Sequence, residues 1–328
     1  MVKIITSFVT TVFMVVFVSG LLADQRRSGD GVNIIPQEGY LRIEINGELF
    51  ANYHFLGDRT VYFYPVHGPG GLPVTRNYPM KKVDGESHDH PHHQSLWYAH
   101  GDVNGVDFWA RTENFGWIEH DRFLDVRSGN ESGLIRSANK WISKDGDLIC
   151  RDERTFRVYN RPDNERLFDY EITYMAGDEP LVLGDTKEGS MAIRVAGSMP
   201  HKPKHDTGGI PPGHIVQSNG LRDGDTWGKR AAWCDYYGFV EGKIVGMAIF
   251  DHPDNPRHPT WWHVRDYGLF AANPFGLHYF EGRPPGSGNL TVPPGRSLTF
   301  KYRIYLHEGD EKQADVAGRY AEYAAENP

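Results

Sequence analysis

A chain of 328 residues with a formal net charge of −8 is long enough to bury a large core, as one big β domain or two smaller ones. With 39% hydrophobic and 24% charged residues, its composition is that of a folded protein rather than a disordered tail. The acidic balance, without a basic run or a nucleic-acid motif, excludes nucleic acid as a partner.

The first residues read as an export signal. Lys3 gives the positive end, Ile4 to Val18 is almost wholly apolar or small, and Ser19-Gly20-Leu21-Leu22-Ala23 offers a cleavage site. The expectation is a signal peptide over 1–23, a single domain over 24–328, and a periplasmic or extracellular location. A membrane anchor is the rival, but the run is short for a span. No cysteine follows it to carry a lipid, and no later segment is long and apolar enough to cross a bilayer, so no stable membrane span is expected after signal removal. Export permits disulfides, and Cys150 and Cys234 are the two cysteines. One bridge or two buried thiols both fit, and a cysteine-based zinc site is excluded because no paired-cysteine spacing occurs.

After a polar leader, Leu41, Ile43 and Ile45 alternate with polar residues, and Asn46-Gly47 turns the chain into Leu49-Phe50-Ala51, a hairpin signature. Val61 to Val66 is an aromatic strand that runs into the Gly- and Pro-rich loop 67–73. Beyond Trp109, strands are expected over 118–126, 134–142, 148–159 and 168–174, then at 181–183 and 191–195. Residues 197–230 are rich in Gly, Pro, His and Asp without periodicity, and a loop this long is either functional or disordered. Strands resume at 231–237, 244–250, 269–276 and 298–306. Ala314, Ala317, Tyr320, Ala321 and Ala324 recur at helical spacing near the C-terminus. This many strands separated by turns implies an all-β, large two-sheet β-sandwich with a short C-terminal helix.

The stretch from His88 to Trp109 carries the chemistry. It holds five histidines and three aspartates, which are costly to bury unpaired. Pro91 denies a ladder donor, so the stretch is expected at an edge or in a loop. Extended, it would place His88, His90 and His92 on one side and Asp89 and His93 on the other. Neutral imidazoles at this spacing could bind a metal, orient a substrate or shuttle protons. Asp102, Asn104 and Asp107 have oxygens spaced like a calcium loop but lack the Glu and helices of an EF-hand, so they are equally turn-formers. Trp109, and Trp262 in the run Trp261-Trp262-His263, are either core or faces on which a sugar stacks. Glu188, after a strand, becomes a general base if it shares a cleft with a histidine. Asn273, at a strand end, fixes a ligand or a turn. No role follows from the sequence for His67, His205 and His214.

Asp89-His90-Pro91-His92-His93-Gln94-Ser95-Leu96-Trp97, the run Gly101 to Trp109, Gly184-Asp185-Thr186-Lys187-Glu188-Gly189 and Asn273-Pro274-Phe275-Gly276 resemble the bacterial family named methane oxygenase PmoA, from about Gly39 to about Leu306. The name implies methane oxidation. The monooxygenase subunit that bears it is an integral membrane protein, whereas this chain lacks spans after its signal, and the family otherwise implies no activity. The strand-rich layout, with an early His motif, a central carboxylate and a Pro-Gly turn before the last strand, is also similar to the aldose-1-epimerase-like, galactose-mutarotase-like β-supersandwich. That similarity implies a His pair and a Glu that open and close a sugar ring by proton transfer.

The resulting expectation is an exported enzyme acting on a carbohydrate or sugar-derived small molecule. His93 and Glu188 would form the proton-transfer pair, assisted by His92 and His263. Asp102, Asn104, Trp109, Trp262 and Asn273 would contact the substrate. Two alternatives stand beside it: a metal-dependent oxidase or hydrolase with a single divalent metal on histidines that include His88 and His90, and a non-catalytic carbohydrate-binding protein anchored on Trp262.

Overall fold

The computed structural model describes residues 29–57 and 59–326, so the expected export signal lies outside the described residues. Among the described residues, eighteen strands and two α-helices follow in chain order. The first five strands are β1 (Val32–Gln37), β2 (Tyr40–Ile45), β3 (Glu48–His54), β4 (Tyr62–Val66) and β5 (Leu96–His100). Then come β6 (Gly116–Arg127), β7 (Ser132–Ser143), β8 (Leu148–Tyr159), β9 (Glu165–Met175), β10 (Leu181–Leu183), β11 (Gly189–Arg194) and β12 (His214–Gln217). The chain ends with β13 (Trp233–Val240), β14 (Lys243–Asp251), β15 (Trp261–Trp262), β16 (Leu269–Asn273), α1 (Leu277–Glu281), β17 (Leu290–Val292), β18 (Ser297–Glu308) and α2 (Val316–Ala325).

These strands form two large antiparallel sheets. The first has the order β1-β2-β3-β4-β5-β11-β16-β15, and the second β12-β13-β14-β18-β9-β8-β7-β6; β10 and β17 pair separately. The architecture is the expected all-β, two-sheet sandwich. The β2–β3 hairpin closes through Asn46 and Gly47 at φ of 52° and 85°, the left-handed pair such a two-residue turn requires. Along β2, Leu41, Ile43 and Ile45 are buried and the residues between them are not. Tyr53 and Phe63 of the first sheet pack on Phe156 of the second with ring centroids 5.0 and 4.9 Å apart, and one continuous apolar cluster joins the two sheets. Helix α2 lies where the alanine spacing placed it, and Tyr320 and Tyr323 contact Phe250 of β14. Among the described residues no helix is long and apolar enough to cross a membrane. Cys150 and Cys234 are free and buried, and burial pushes both thiols well above their usual range.

Two differences from the sequence reading position the site. The leader contains β1. The histidine-rich stretch is a loop only as far as Ser95, after which β5 runs between β4 and β11 inside the first sheet. Every residue of β5, β11 and β16 is buried. One face of this central trio meets the core, and loops cover the other. Those loops form the site.

Candidate active site

The histidine loop is bent rather than extended. His90 takes a left-handed φ of 45°, and His93 N donates to His90 O at 3.0 Å, closing a turn around Pro91. The turn overrides strict alternation and brings the rings of His90, His92 and His93 to within 4.5–5.7 Å of one another. His93 stacks on Trp97 of β5 at 5.3 Å, His90 on His93 at 4.7 Å, and Tyr267 on His90 at 5.1 Å, so four rings form one column from the sheet outward.

Asp89 fixes this loop to β11. Its carboxylate accepts from Arg76 Nη1 at 2.6 Å, Arg194 Nη2 at 2.9 Å and Lys204 Nζ at 2.8 Å, and His90 Nδ1 lies 2.9 Å from Oδ2. Burial alone would raise its pKa, but the contacts from His90 and Lys204 and the charge of Arg194 hold it well below the usual carboxylate range. Arg76 and Arg194 are almost wholly buried, so Asp89 supplies the counter-charge they need.

The second contributor is the turn entering β11. Glu188 follows Lys187, whose ammonium contacts its carboxylate. Gly101 N donates to Glu188 O at 2.7 Å, and Asn273 Nδ2 holds Thr186 O at 3.0 Å. The third contributor follows β15. His263 N donates to Ala271 O at 2.8 Å, and Trp227 Nε1 donates to His263 Nδ1 at 3.1 Å. An indole N–H only donates, so Nδ1 is the bare nitrogen and Nε2 carries the proton in the neutral ring.

These three segments meet at a cavity of about 330 Å³ whose lining includes His90, His92, His93, Glu188 and His263, with Asp107, Lys187, Arg265 and Tyr267 around them. Burial, together with neighbouring cationic groups, lowers the pKa of His92 to about 4 and that of His263 to about 3. His93, buried behind them, is pushed well below its usual value by burial and then by His92 and Arg194. All three are neutral imidazoles at pH 7. Arg194 Nη1 stands 3.4 Å from His93 Nδ1; a guanidinium only donates, so His93 also carries its proton on Nε2. Burial raises the Asp107 carboxyl, opposed by hydrogen bonds from Ala110 N and Trp109 N. A second cavity of about 590 Å³, lined by Arg59, Gln94 and Arg111 among others, adjoins the first at His92 and Ala110. The site can therefore offer carboxylates, Glu188 and Asp107, to accept a proton, neutral ring N–H groups to donate hydrogen bonds, and cations to hold an anion.

The other expected substrate contacts lie elsewhere. Trp262 is fully buried, donates Nε1 to Ala231 O at 2.9 Å and stacks on Phe270, so it is core. With it goes the stacking platform on which the binding-protein alternative rested. Asn273 is buried, and its amide is used by Thr186 O and Phe275 N; it braces the Glu188 turn instead of a ligand. Asp102 accepts from Gly105 N at 2.9 Å, and Asn104 bonds Val182 N and Pro180 O, which makes both turn-formers. Trp109 is buried against Trp97 and His93, behind the cavity wall. His88 stacks on Tyr78 and does not line the cavity, so it does not join His90 as a ligand there. Among the described residues, the group of His, Cys, Asp or Glu with donor atoms close enough for a metal is His201, His214 and Asp223, not the His88–His93 run.

Several cavity residues went unread in the sequence. Tyr267 gave no signal, nor did Lys204, which reaches Asp89 beside the cavity, since one aromatic and one lysine in loops are ordinary. Asp107 read as a calcium-loop oxygen or, equally, as a turn-former. It is one, and it also faces the cavity.

Fold and site together define a two-sheet β-sandwich protein with a histidine- and carboxylate-lined cavity on the covered face of its first sheet. By sequence the chain belongs to the Family of unknown function (DUF6807), which matches residues 40–321. No curated protein matches it. Among solved structures it is similar to a polysaccharide lyase (TM-score 0.33, 13% identity, 86% of this chain and 33% of the lyase), so it spans about a third of that protein. It is also similar to a GalM/aldose epimerase homologue from C. elegans (TM-score 0.32, 8% identity, 85% and 99% of the two chains). A galactose mutarotase related enzyme from Lactobacillus acidophilus is a further neighbour (TM-score 0.31, 8% identity, 85% and 97%). Two of the three are thus of the mutarotase type. Likeness at this level carries no argument about chemistry, and the sandwich described above rests on the chain's own strand pairing. Nothing in these comparisons supports the methane-oxygenase name.

Proposed function

We propose that the protein is an exported enzyme that acts on a sugar or sugar-derived molecule by proton transfer, with Glu188 as the base. The observation that carries this reading is the convergence of Glu188, His92, His93 and His263, from three distant segments, on one cavity. The neutral rings refine the roles. A buried imidazole with a strongly lowered pKa is a poor proton store but a good neutral hydrogen-bond donor to an oxygen that gains charge. Glu188 takes the proton and returns it, while His93 and His263 steady the oxygen through Nε2–H. Lys187 and Arg265, with Arg59 and Arg111 of the adjoining cavity, outnumber Asp107 and Glu188, the carboxylates that line the two, in a chain whose net charge is −8. That contrast favours a substrate bearing a carboxylate, such as a uronate, over a neutral sugar.

The test is turnover on a panel of neutral and uronate-containing oligosaccharides, read by NMR in D₂O so that exchange of a carbon-bound proton is seen as well as product. Glu188→Gln should lower turnover by about 10²–10⁴-fold, the usual contribution of a positioned acid–base group, with the fold intact because its side chain is 35% exposed. His93→Gln should lower it as well. Full activity in both variants, or no turnover by the unmodified protein across the panel, would sink the reading.

A further inference from the structure

The segment between β11 and β13 runs from 195 to 232 with only four residues of strand, β12. It is nevertheless ordered against the cavity. Lys204 reaches Asp89 and lies 4.2 Å from the Tyr267 ring, and Lys202 N donates to Asp266 O at 2.7 Å. A long segment rich in Gly and Pro loses much conformational freedom when held this way.

Within it, His201, His214 and Asp223 converge. A ring nitrogen from each histidine and a carboxylate oxygen lie within 4.8 Å of one another. Asp223 Oδ1 stands 3.6 Å from His201 Nδ1 and 3.4 Å from His214 Nδ1. Those separations are long for charge-assisted hydrogen bonds, which run about 2.7–2.9 Å. They match the spacing of two donors each held 2.0–2.2 Å from a tetrahedral ion, about 3.3–3.6 Å apart. The carboxylate is positioned by its backbone: Asp223 takes a left-handed φ of 51°, and Ile215 N donates to its Oδ1 at 2.9 Å. Such an orienting partner on a carboxylate is what a ligand position needs. All three side chains are half-buried, accessible to an ion and its waters.

The geometry points to a divalent transition-metal site at His201, His214 and Asp223, a two-histidine, one-carboxylate set that suits Zn²⁺ with water completing the shell. The ion staples the start, middle and end of the segment that carries Lys204 to the cavity wall. His201 Nδ1 also lies 2.9 Å from Gly213 O, a hydrogen bond that this nitrogen gives up when it faces an ion. The site is separate from the cavity and does not depend on the enzymatic reading.

The protein is stripped with chelator, dialysed and titrated with Zn²⁺ by calorimetry at pH 7.5, and its melting temperature is read with and without Zn²⁺. One equivalent should bind and raise the melting temperature. His214→Ala and Asp223→Asn should each weaken binding by more than the roughly 10–100-fold that loss of an outer-shell partner costs, and should melt like the unmodified protein in chelator. His92→Gln, in the cavity, should bind Zn²⁺ as the unmodified protein does. Absence of stoichiometric binding overturns the proposal. So does binding lost in His92→Gln but kept in the His214 and Asp223 variants, which would move the metal to the cavity.

Discussion

Trp227 decides which nitrogen of His263 carries the proton. Its indole N–H occupies Nδ1 at 3.1 Å, leaving Nε2–H as the ring's remaining polar group. Trp227→Phe keeps an aromatic ring beside Phe280, which it meets edge-on at 5.4 Å, and removes that donor. Both tautomers of His263 should then populate, visible in the ring ¹⁵N shifts at pH 7. Turnover should fall roughly ten-fold with KM little changed, since about 1.4 kcal/mol is the scale of one hydrogen bond missing from the transition state. A single protonated nitrogen in the variant would refute the assignment. Asp89 acts at the same scale but on stability. Asp89→Asn leaves the guanidiniums of Arg76 and Arg194 buried without their shared carboxylate, so unfolding free energy should drop by about 3–5 kcal/mol in urea titration. A loss under about 1 kcal/mol, the worth of a surface pair, would mean the two arginines find other compensation.

The junction of β5 with β11 is the element on which Glu188 depends. Gly101 directly follows β5, and a Cβ there would stand 2.9 Å from Glu188 Cβ and 3.0 Å from Glu188 O. Backbone cannot yield as a side-chain tip does, so Gly101→Ala should displace the Glu188 turn, destabilise by about 1–3 kcal/mol and lower turnover at least ten-fold. Unchanged kinetics in a folded variant would show that the turn has slack. These elements were unequally legible in the sequence. The β2–β3 hairpin and β9 could be read because one face of each strand meets the core and the other meets solvent, so the sequence alternates. β5 could not, because it is buried on both faces and shows no period, while Pro91 just ahead of it argued for a loop. The cavity's histidines stood out as a cluster of costly side chains. Their mutual arrangement did not, because it hangs on one left-handed residue, His90, that nothing in the sequence marks. Trp262 and Asn273 illustrate the converse: a buried tryptophan and a brace look the same in sequence as a ligand platform and a ligand contact.

Across the whole molecule the neutral histidines leave a pH signature. His92, His93, His100 and His263 all have folded-state pKa values lowered by burial, to about 4 for His92 and His100 and about 3 for His263. Between pH 6.5 and those values the unfolded chain binds protons that the folded chain refuses, so the slope of unfolding free energy with pH is positive there. Stability should thus be full above about pH 6.5 and fall as acid is added. His100 alone, fully buried with Nε2 on Gly184 O, accounts for roughly 3 kcal/mol at most by the time pH reaches 4. His307 runs the other way. Burial would lower its pKa, but the buried Asp235 carboxylate 3.0 Å away raises it, so its contribution is present below pH 6.5 and fades as pH rises through the folded value. Asp107 and Asp235, whose carboxyls burial raises, run the same way as His307, but His54, His120 and His252 are also lowered by burial, so three groups stand against seven and the net slope is positive. Urea unfolding at pH 7.5, 6.0 and 5.0 should show this decline, and a flat or rising profile would contradict neutral burial of these rings. Paired carboxylates also lose their stabilising charge in acid, but Asp89 is held well below its usual range and titrates only at far lower pH. His100→Gln separates the two causes: it is less stable at pH 7.5, yet its stability should fall less steeply between pH 6.0 and 5.0, because one of the refusing imidazoles is gone while every carboxylate remains.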